Sequence, residues 1–362
     1  MLVEGAVFDI DGPRPAYVRF RRGRVVEVGT PGTDSTRGRL RKVRGIVVPA
    51  PVNGHTHLGD AVSVREPPKG PVEELVAPPS GYKFQLLANA GRAEKLAAMR
   101  AALTAMARDG VAATLDFREE GIAGVELFRE ALRGIPIRGF AFGRPVRRPV
   151  DREELDRLLV AAEGVGLSSA RDEEEATRRT IAQACRLRGK RFGLHASEAV
   201  REPPESYLDP TPDLLVHLTK ATADDLVAVQ GEGVAVAVCP RSNALFGRQP
   251  DLRTMERLGL HILLGTDNAM FHPPSLWSEL QFAYTSSRLL DRPASAVFLA
   301  RGALVEPWVW LGEAEAARIA PGSPASPLVL RLPPEDPAYQ LATRVTEQVI
   351  VRVGTPPPRP RR

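Results

Sequence analysis

The sequence predicts an α/β protein: a (β/α)8 TIM barrel with a small β-sandwich domain formed from both chain ends. Three observations carry this. From Gly45 onward, short apolar runs alternate with amphipathic segments, which is the order of a barrel whose parallel strands are each followed by a helix. The apolar runs are nearly continuous, as expected of strands covered on both faces. Four of the six histidines and one aspartate (His55, His57, His195, His217 and Asp267) end or follow such runs, where a parallel barrel gathers its reactive side chains.

The elements follow in order. Ala16-Tyr-Val-Arg-Phe and Arg24-Val-Val-Glu-Val flank Arg21-Arg-Gly, a hairpin signal, and Pro31-Gly-Thr-Asp makes the next turn. Ile46-Val-Val-Pro-Ala-Pro-Val reads as the first barrel strand. After a long insert come Val111-Ala-Ala-Thr-Leu-Asp, Ile137-Arg-Gly-Phe-Ala-Phe, Gly164-Val-Gly-Leu-Ser and Phe192-Gly-Leu-His. Leu214-Leu-Val-His, Val234-Ala-Val-Ala-Val-Cys and Leu260-His-Ile-Leu-Leu-Gly complete the series. Helical periodicity covers Arg92 to Arg108, Val125 to Leu132, Asp151 to Val160, Glu173 to Arg188 and Ala223 to Val229. One helix is predicted near Pro274 after the eighth strand and another from Pro293. Strand-like sequence returns in Leu328-Val-Leu-Arg-Leu and Val345 to Val353, predicted to join the N-terminal strands. The expected domains are residues 1–48 with 320–355, the barrel at 49–319, and a Pro/Arg-rich tail at 356–362.

Composition narrows the class. With 43% hydrophobic and 26% charged residues, a chain of 362 residues can bury a large core. No apolar stretch reaches the ~20 residues that cross a bilayer, so no membrane partner is expected. The start, Met1-Leu-Val-Glu-Gly-Ala-Val-Phe-Asp, lacks the basic region of a secretory signal. With Cys185 and Cys239 as the only cysteines, a cytoplasmic, disulfide-free protein is expected. The net charge of +5 comes from scattered arginines, with one dense basic run at Arg359-Pro-Arg-Arg, so nucleic acid is not expected as a partner. Scarce Asn, Cys and Met beside many prolines lean toward a heat-adapted source, although abundant arginine fits a GC-rich genome equally.

The chemistry lies in the histidine series. His55 and His57, two apart, share one face of an extended segment. His195 ends the fifth strand, His217 the sixth, and Asp267 follows the eighth. Three imidazoles and a carboxylate suit Zn²⁺ or a similar borderline cation, leaving a place for water. His261 and His272 lack such placement and read as structural, and Cys239 sits in an apolar run without partners for a thiol nucleophile. The insert from Leu58 to Asn89, punctuated by Pro and Gly, predicts a lid over the barrel mouth. On it, Tyr82 and Phe84 could stack on a flat ring, while Lys83, with Arg144 or Arg241, could bind an anionic substituent.

Val48-Pro-Ala-Pro-Val-Asn-Gly-His-Thr-His resembles the first-strand signature of the amidohydrolase superfamily. His195-Ala-Ser-Glu198, Cys239-Pro-Arg-Ser-Asn243 and Gly265-Thr-Asp267 resemble its cytosine deaminase, guanine deaminase and chlorohydrolase branch. Ala320-Pro-Gly-Ser-Pro-Ala echoes the C-terminal segment, although Ser326-Pro327 stands where an Asp-Leu pair is usual. The resemblance implies one divalent metal, zinc with iron as the alternative, held by His55, His57, His195 and Asp267. Two-metal members carry a Lys or Glu at the end of the fourth strand, and Gly164-Val-Gly-Leu-Ser-Ser-Ala-Arg has neither there. His217 is then a group that orients water or substrate, and Asn243 joins the candidate substrate contacts. Glu198 is the implied acid that protonates a ring nitrogen, with Asp267 and His217 accepting the water's proton. The implied activity is deamination of an amino-substituted N-heterocycle by metal-bound hydroxide. Hydrolysis of a cyclic amide, or of a halide or other leaving group on a related ring, is the alternative, and a non-catalytic scaffold the reading from another class. The resemblance also implies a small-molecule substrate and a homodimer.

Overall fold

The computed structural model describes residues 1–33, 41–62, 70–76, 81–147, 149–324 and 326–352. The predicted tail at 356–362 with its Arg359-Pro-Arg-Arg run, Asp34 of the turn at Pro31, Ala325 and Val353 lie outside these residues, as do 63–69 and 77–80 of the insert.

The chain opens with β1 (Leu2–Asp9), β2 (Gly12–Arg21), β3 (Arg24–Gly29) and β4 (Lys42–Pro49). The barrel follows as β5 (Val52–His57), β6 (Ala113–Arg118), β7 (Arg138–Gly143), β8 (Gly164–Leu167), β9 (Arg191–Ala196) and β10 (Leu214–His217). It finishes with β11 (Ala235–Val238), β12 (Ile262–Leu264) and the short β13 (Asp267–Asn268). Sequential parallel pairing runs from β5 to β12, and β13 pairs back with β5, closing the ring. Eight strands with helices between them make a TIM barrel.

One boundary differs from expectation. Ile46 to Pro49 belong to β4 of the outer sheet, and the first barrel strand is Val52–His57, which carries both histidines. Pro49 and Pro51 explain the switch, because a proline cannot donate to a ladder and so ends one pairing before the next begins.

The outer sheet adds β14 (Pro327–Leu330) and β15 (Ile350–Arg352), giving the order β15-β14-β4-β1-β2-β3 from both chain ends. Period-two alternation buries both of its faces. Phe8, Ile46, Val48, Leu328 and Leu330 join the barrel core, while Val7, Val18, Phe20, Val47 and Val329 pack on one another and on Ile319. Among the described residues, the sandwich expected from both chain ends is a single six-stranded sheet, with one set of side chains in the barrel core and the other in a smaller cluster.

The predicted helices are present, and side-chain caps set the start of some of them. Asp151 accepts from Glu153 N at 3.2 Å ahead of helix Arg152–Ala161, and Thr222 with Asp225 forms a capping box ahead of Ala223–Gly231. Periodicity missed the helix Pro337–Arg344, which lies between the last two strands. It is short, and its start rests on Asp336, whose carboxylate accepts from Tyr339 N. Within the insert, the helices Val72–Val76 and Tyr82–Asn89 are described. No helix among the described residues is long and apolar enough to cross a membrane.

Candidate metal centre

Strand register assembles the centre. Asp267 pairs with Thr56, which places it between His55 and His57. On the other side β9 and β10 pair His195 with Val216, so His217 stands one residue farther out. His57 Nε2 lies 3.2 Å from His195 Nε2, and His195 Nε2 lies 3.3 Å from His55 Nε2. Asp267 Oδ1 is 3.4 Å from His55 Nε2 and 3.8 Å from His57 Nε2.

These spacings are those of a coordination shell. Donors about 2.0–2.1 Å from a tetrahedral zinc lie roughly 3.3–3.4 Å from one another. The tautomer agrees, since His195 Nδ1 donates to the Leu167 carbonyl at 2.8 Å and leaves its Nε2 lone pair free. Burial pushes His55 down to about 4. Burial, followed by the neighbouring His55 and His217, also lowers His195 well below the usual histidine range. Neutral imidazoles are the form that a metal binds. Three imidazole nitrogens grouped within ligand distance of one another, with Asp267 Oδ1 beside two of them, therefore fit a zinc ion. At the end of β8 stand Ser168 and Ser169, while Glu163 lies at its opposite end and accepts from Ala141 N at 2.7 Å. No bridging carboxylate or lysine stands at that strand end.

The segment after β11 steadies this set. Ser242 donates to Asp267 Oδ2, and the Asn243 amide meets His217 Nδ1 at 3.1 Å, leaving His217 Nε2 toward the cavity. Glu198 Oε2 lies 3.6 Å from that Nε2. Burial, opposed by His217 and aided by Asp267, holds the Glu198 carboxyl above the usual range. Backbone strain collects here too. Ser197, His217, Leu218 and Asp267 all have positive φ, at 46°, 79°, 51° and 58°, conformations that cost non-glycine residues about 1–3 kcal/mol each.

Behind His57 lies a buried ionic network that sequence reasoning missed. Glu119 Oε1 is 3.2 Å from His57 Nδ1 and accepts from Lys83 Nζ at 2.6 Å. Lys83 Nζ also lies 3.3 Å from Asp60 Oδ2, and Arg118 reaches Asp116 at 3.2 Å. Burial and Lys83 push His57 down, but Glu119 and Asp267 outweigh them and leave it raised. Burial likewise pulls Lys83 down, and Asp60 and Glu119 outweigh it. The available signal was Asp116-Phe-Arg-Glu119, a run of charges at the end of an apolar strand.

A cavity of about 290 Å³ opens over the donors, lined among others by Lys83, Glu198, His217, Ser242, Asn268 and Phe271. Of the residues expected to touch substrate, Lys83 reaches it, but with its ammonium committed to two carboxylates. Tyr82 is exposed, Phe84 is half-buried against Lys83, and neither lines the cavity. Arg144 is buried outside it. Arg241 Nη1 reaches the Pro273 and Ser275 carbonyls at 3.4 and 3.5 Å. Asn243 serves His217. His261 pairs with Glu306 at the surface, His272 stands outside the cavity lining, and burial raises the Cys239 thiol well above its usual range.

No protein-family model matches the chain. A protein of Methanothermobacter thermautotrophicus that carries an aminohydrolase name is 35% identical over 263 residues, 67% of this chain and 68% of that protein. Another with an aminohydrolase name, from Archaeoglobus fulgidus, is 31% identical over 247 residues, 68% of this chain and 70% of that protein. Among solved structures, a zinc-bound adenosine deaminase from Xanthomonas campestris superposes with a TM-score of 0.78 at 17% identity, covering 98% of this chain and 92% of that one. A zinc complex of atrazine chlorohydrolase from Arthrobacter aurescens gives 0.77 at 17% identity, covering 98% and 94%. Guanine deaminase from C. acetobutylicum with bound guanine gives 0.72 at 14% identity, covering 96% and 97%. The sequence relationship shows that this chain belongs to the family of these aminohydrolases, and its fold is the one shared by the zinc-bound deaminase and chlorohydrolase structures.

Proposed function

We propose that the protein is a metal-dependent aminohydrolase that releases ammonia from an amino-substituted N-heterocycle. The observation that carries the reading is Glu198. It stands in the same cavity as the donor set, 3.6 Å from His217, with its carboxyl raised toward the range of a working acid. The aminohydrolase names of the relatives support the same direction.

His55, His57, His195 and Asp267 would hold one divalent ion, zinc by its fit to these donors. When bound, such an ion lowers the pKa of water from ~15.7 toward ~7 and so makes hydroxide available at neutral pH. Asp267 and His217 then orient the water and accept its proton. Glu198 delivers a proton to a ring nitrogen as water adds to the carbon bearing the amine. Left as a carboxylate, Glu198 next takes the proton of the added hydroxyl and passes it to that amine, so the carbonyl forms, the C–N bond breaks and neutral ammonia leaves. The proton held by Asp267 and His217 returns to Glu198 for the next turnover. Ser242 and Asn243 keep Asp267 and His217 in place, and Phe271 with Val76 and Val200 supplies apolar wall for a flat ring.

With this reading go a small-molecule partner and no nucleic acid, a homodimer by analogy with the family, a cytoplasmic location, and domains at 1–48 with 320–355 and at 49–319. The test is Glu198→Gln, assayed for ammonia release across amino-substituted N-heterocycles with zinc content measured in parallel. Turnover should vanish while zinc stays near one equivalent per chain. Retained turnover would remove Glu198 from the mechanism, and release of chloride instead of ammonia would shift the reading to the halide-hydrolysing alternative.

A further inference from the structure

Lys83, Glu119 and Asp60 take no part in the reaction just described, yet they are 4%, 4% and 2% exposed. Charged side chains are rarely buried this deeply unless paired. Lys83 arrives on the helix Tyr82–Asn89, Asp60 on the turn after β5, and Glu119 just past the end of β6. Three separate elements thus meet at one point. His57 Nδ1 and the two carboxylates bring their donor atoms close enough together to hold a cation. The cation present is the lysine ammonium, 2.6 Å from Glu119 Oε1 and 3.3 Å from Asp60 Oδ2.

Resting on the metal reading above, we propose that Lys83 is a positioning residue. Its ammonium is a fixed second cation that holds Glu119 against His57 Nδ1, and so presents His57 Nε2 to the metal. The carboxylate is shared, since Glu119 Oε1 faces both the ammonium and the imidazole nitrogen. Partners on the far side of a ligating imidazole set its orientation and basicity. Arg118 cannot take over. Its Nη1 is held by Asp116, its Nη2 is 3.7 Å from Glu119 Oε2, and its head packs so closely on Gly59 that a Cβ there would collide with it. Asp60 is braced from the other side by Asn268 Nδ2 at 2.7 Å. Removing the ammonium takes the nearest cation from two buried carboxylates and leaves Glu119 with only the more distant Arg118, which is unfavourable and frees Glu119 to turn from His57. The insert thereby contributes to the donor set without touching the metal.

The test measures zinc affinity by competition with a chromophoric chelator, with thermal unfolding of the metal-free protein alongside. Glu119→Gln and Lys83→Met should each weaken zinc binding ~10–100-fold, the range for lost partners of a metal ligand. The double variant should be no weaker than Glu119→Gln alone to within ~3-fold, because Lys83 acts through Glu119. Lys83→Arg keeps the charge and should retain most of the affinity, so it carries the test with Glu119→Gln if Lys83→Met does not fold. A Lys83→Met protein that melts earlier but binds zinc like the wild type would make the lysine merely structural and overturn the proposal. Unchanged affinity with a raised KM would assign it to substrate and overturn the proposal as well. Wild-type protein that takes up no zinc would instead overturn the metal reading itself.

Discussion

Gly265 sits where the eighth strand breaks, between β12 and β13. Its φ lies outside the left-handed region, so backbone conformation does not reserve the position for glycine. Space does. A Cβ would lie 2.7 Å from His55 N, 2.8 Å from His55 Cβ and 3.0 Å from His55 O. Carbon contacts settle near 3.5–4.0 Å, so β12–β13 and β5 would have to part by about 1 Å. That movement strains the pairings of Asp267 with Thr56 and of Asn268 with His57. It also separates His55 from Asp267, now 3.4 Å apart. Overpacking of this kind costs about 1–3 kcal/mol, and a ~1 Å displacement within a site can cost about a hundredfold. Gly265→Ala should therefore destabilise the metal-free protein by that amount and weaken zinc binding by up to two orders of magnitude. Gly231→Ala is the control, because nothing stands within 4 Å of its Cβ position at the end of a helix, and it should stabilise by up to ~1 kcal/mol. Thermal unfolding and chelator competition on both variants make the comparison. Wild-type zinc affinity and stability in Gly265→Ala would refute the claim that a close-packed seam sets the donor geometry.

Two further outcomes follow from buried groups. Ser242→Ala removes the hydroxyl that donates to Asp267 Oδ2. A hydrogen bond to a charged group is worth ~1.5–3 kcal/mol, so zinc affinity should drop at least about tenfold, and an unchanged affinity would mean that Asp267 is held by other means. Glu279 is buried, and that burial raises its carboxyl from 4.5 to about 8. The folded state thus binds the extra proton between these values, and stability falls as pH rises from about 4.5 to about 8. Glu279→Gln should flatten that slope in denaturant titrations, with its advantage over wild type growing toward the alkaline end. Parallel pH profiles for the two proteins would show that Glu279 is ionised in the fold.

The barrel was legible because its signal is local. Continuous apolar runs such as Val234 to Val238 and amphipathic stretches such as Arg92 to Arg108 announce strand and helix within a few residues of themselves. The missed helix at Pro337–Arg344 had too few turns to establish a period, and the Ile46–Val52 run concealed a change of sheet that its prolines impose.

By itself the sequence determined the barrel, the histidines and aspartate at its strand ends, and the family to which they point. Tertiary structure alone decided what surrounds them. Ser242 meets Asp267 across 25 positions and Asn243 meets His217 across 26, while Lys83 reaches Glu119 across 36. A residue's type states which charges and hydrogen bonds it can offer. Whether Asn243 holds substrate or a histidine, and whether Lys83 binds an anion or braces Glu119, depends on strand register and on the seating of one helix. Those interactions act through space over a few ångströms, and no local pattern in the chain records that distance.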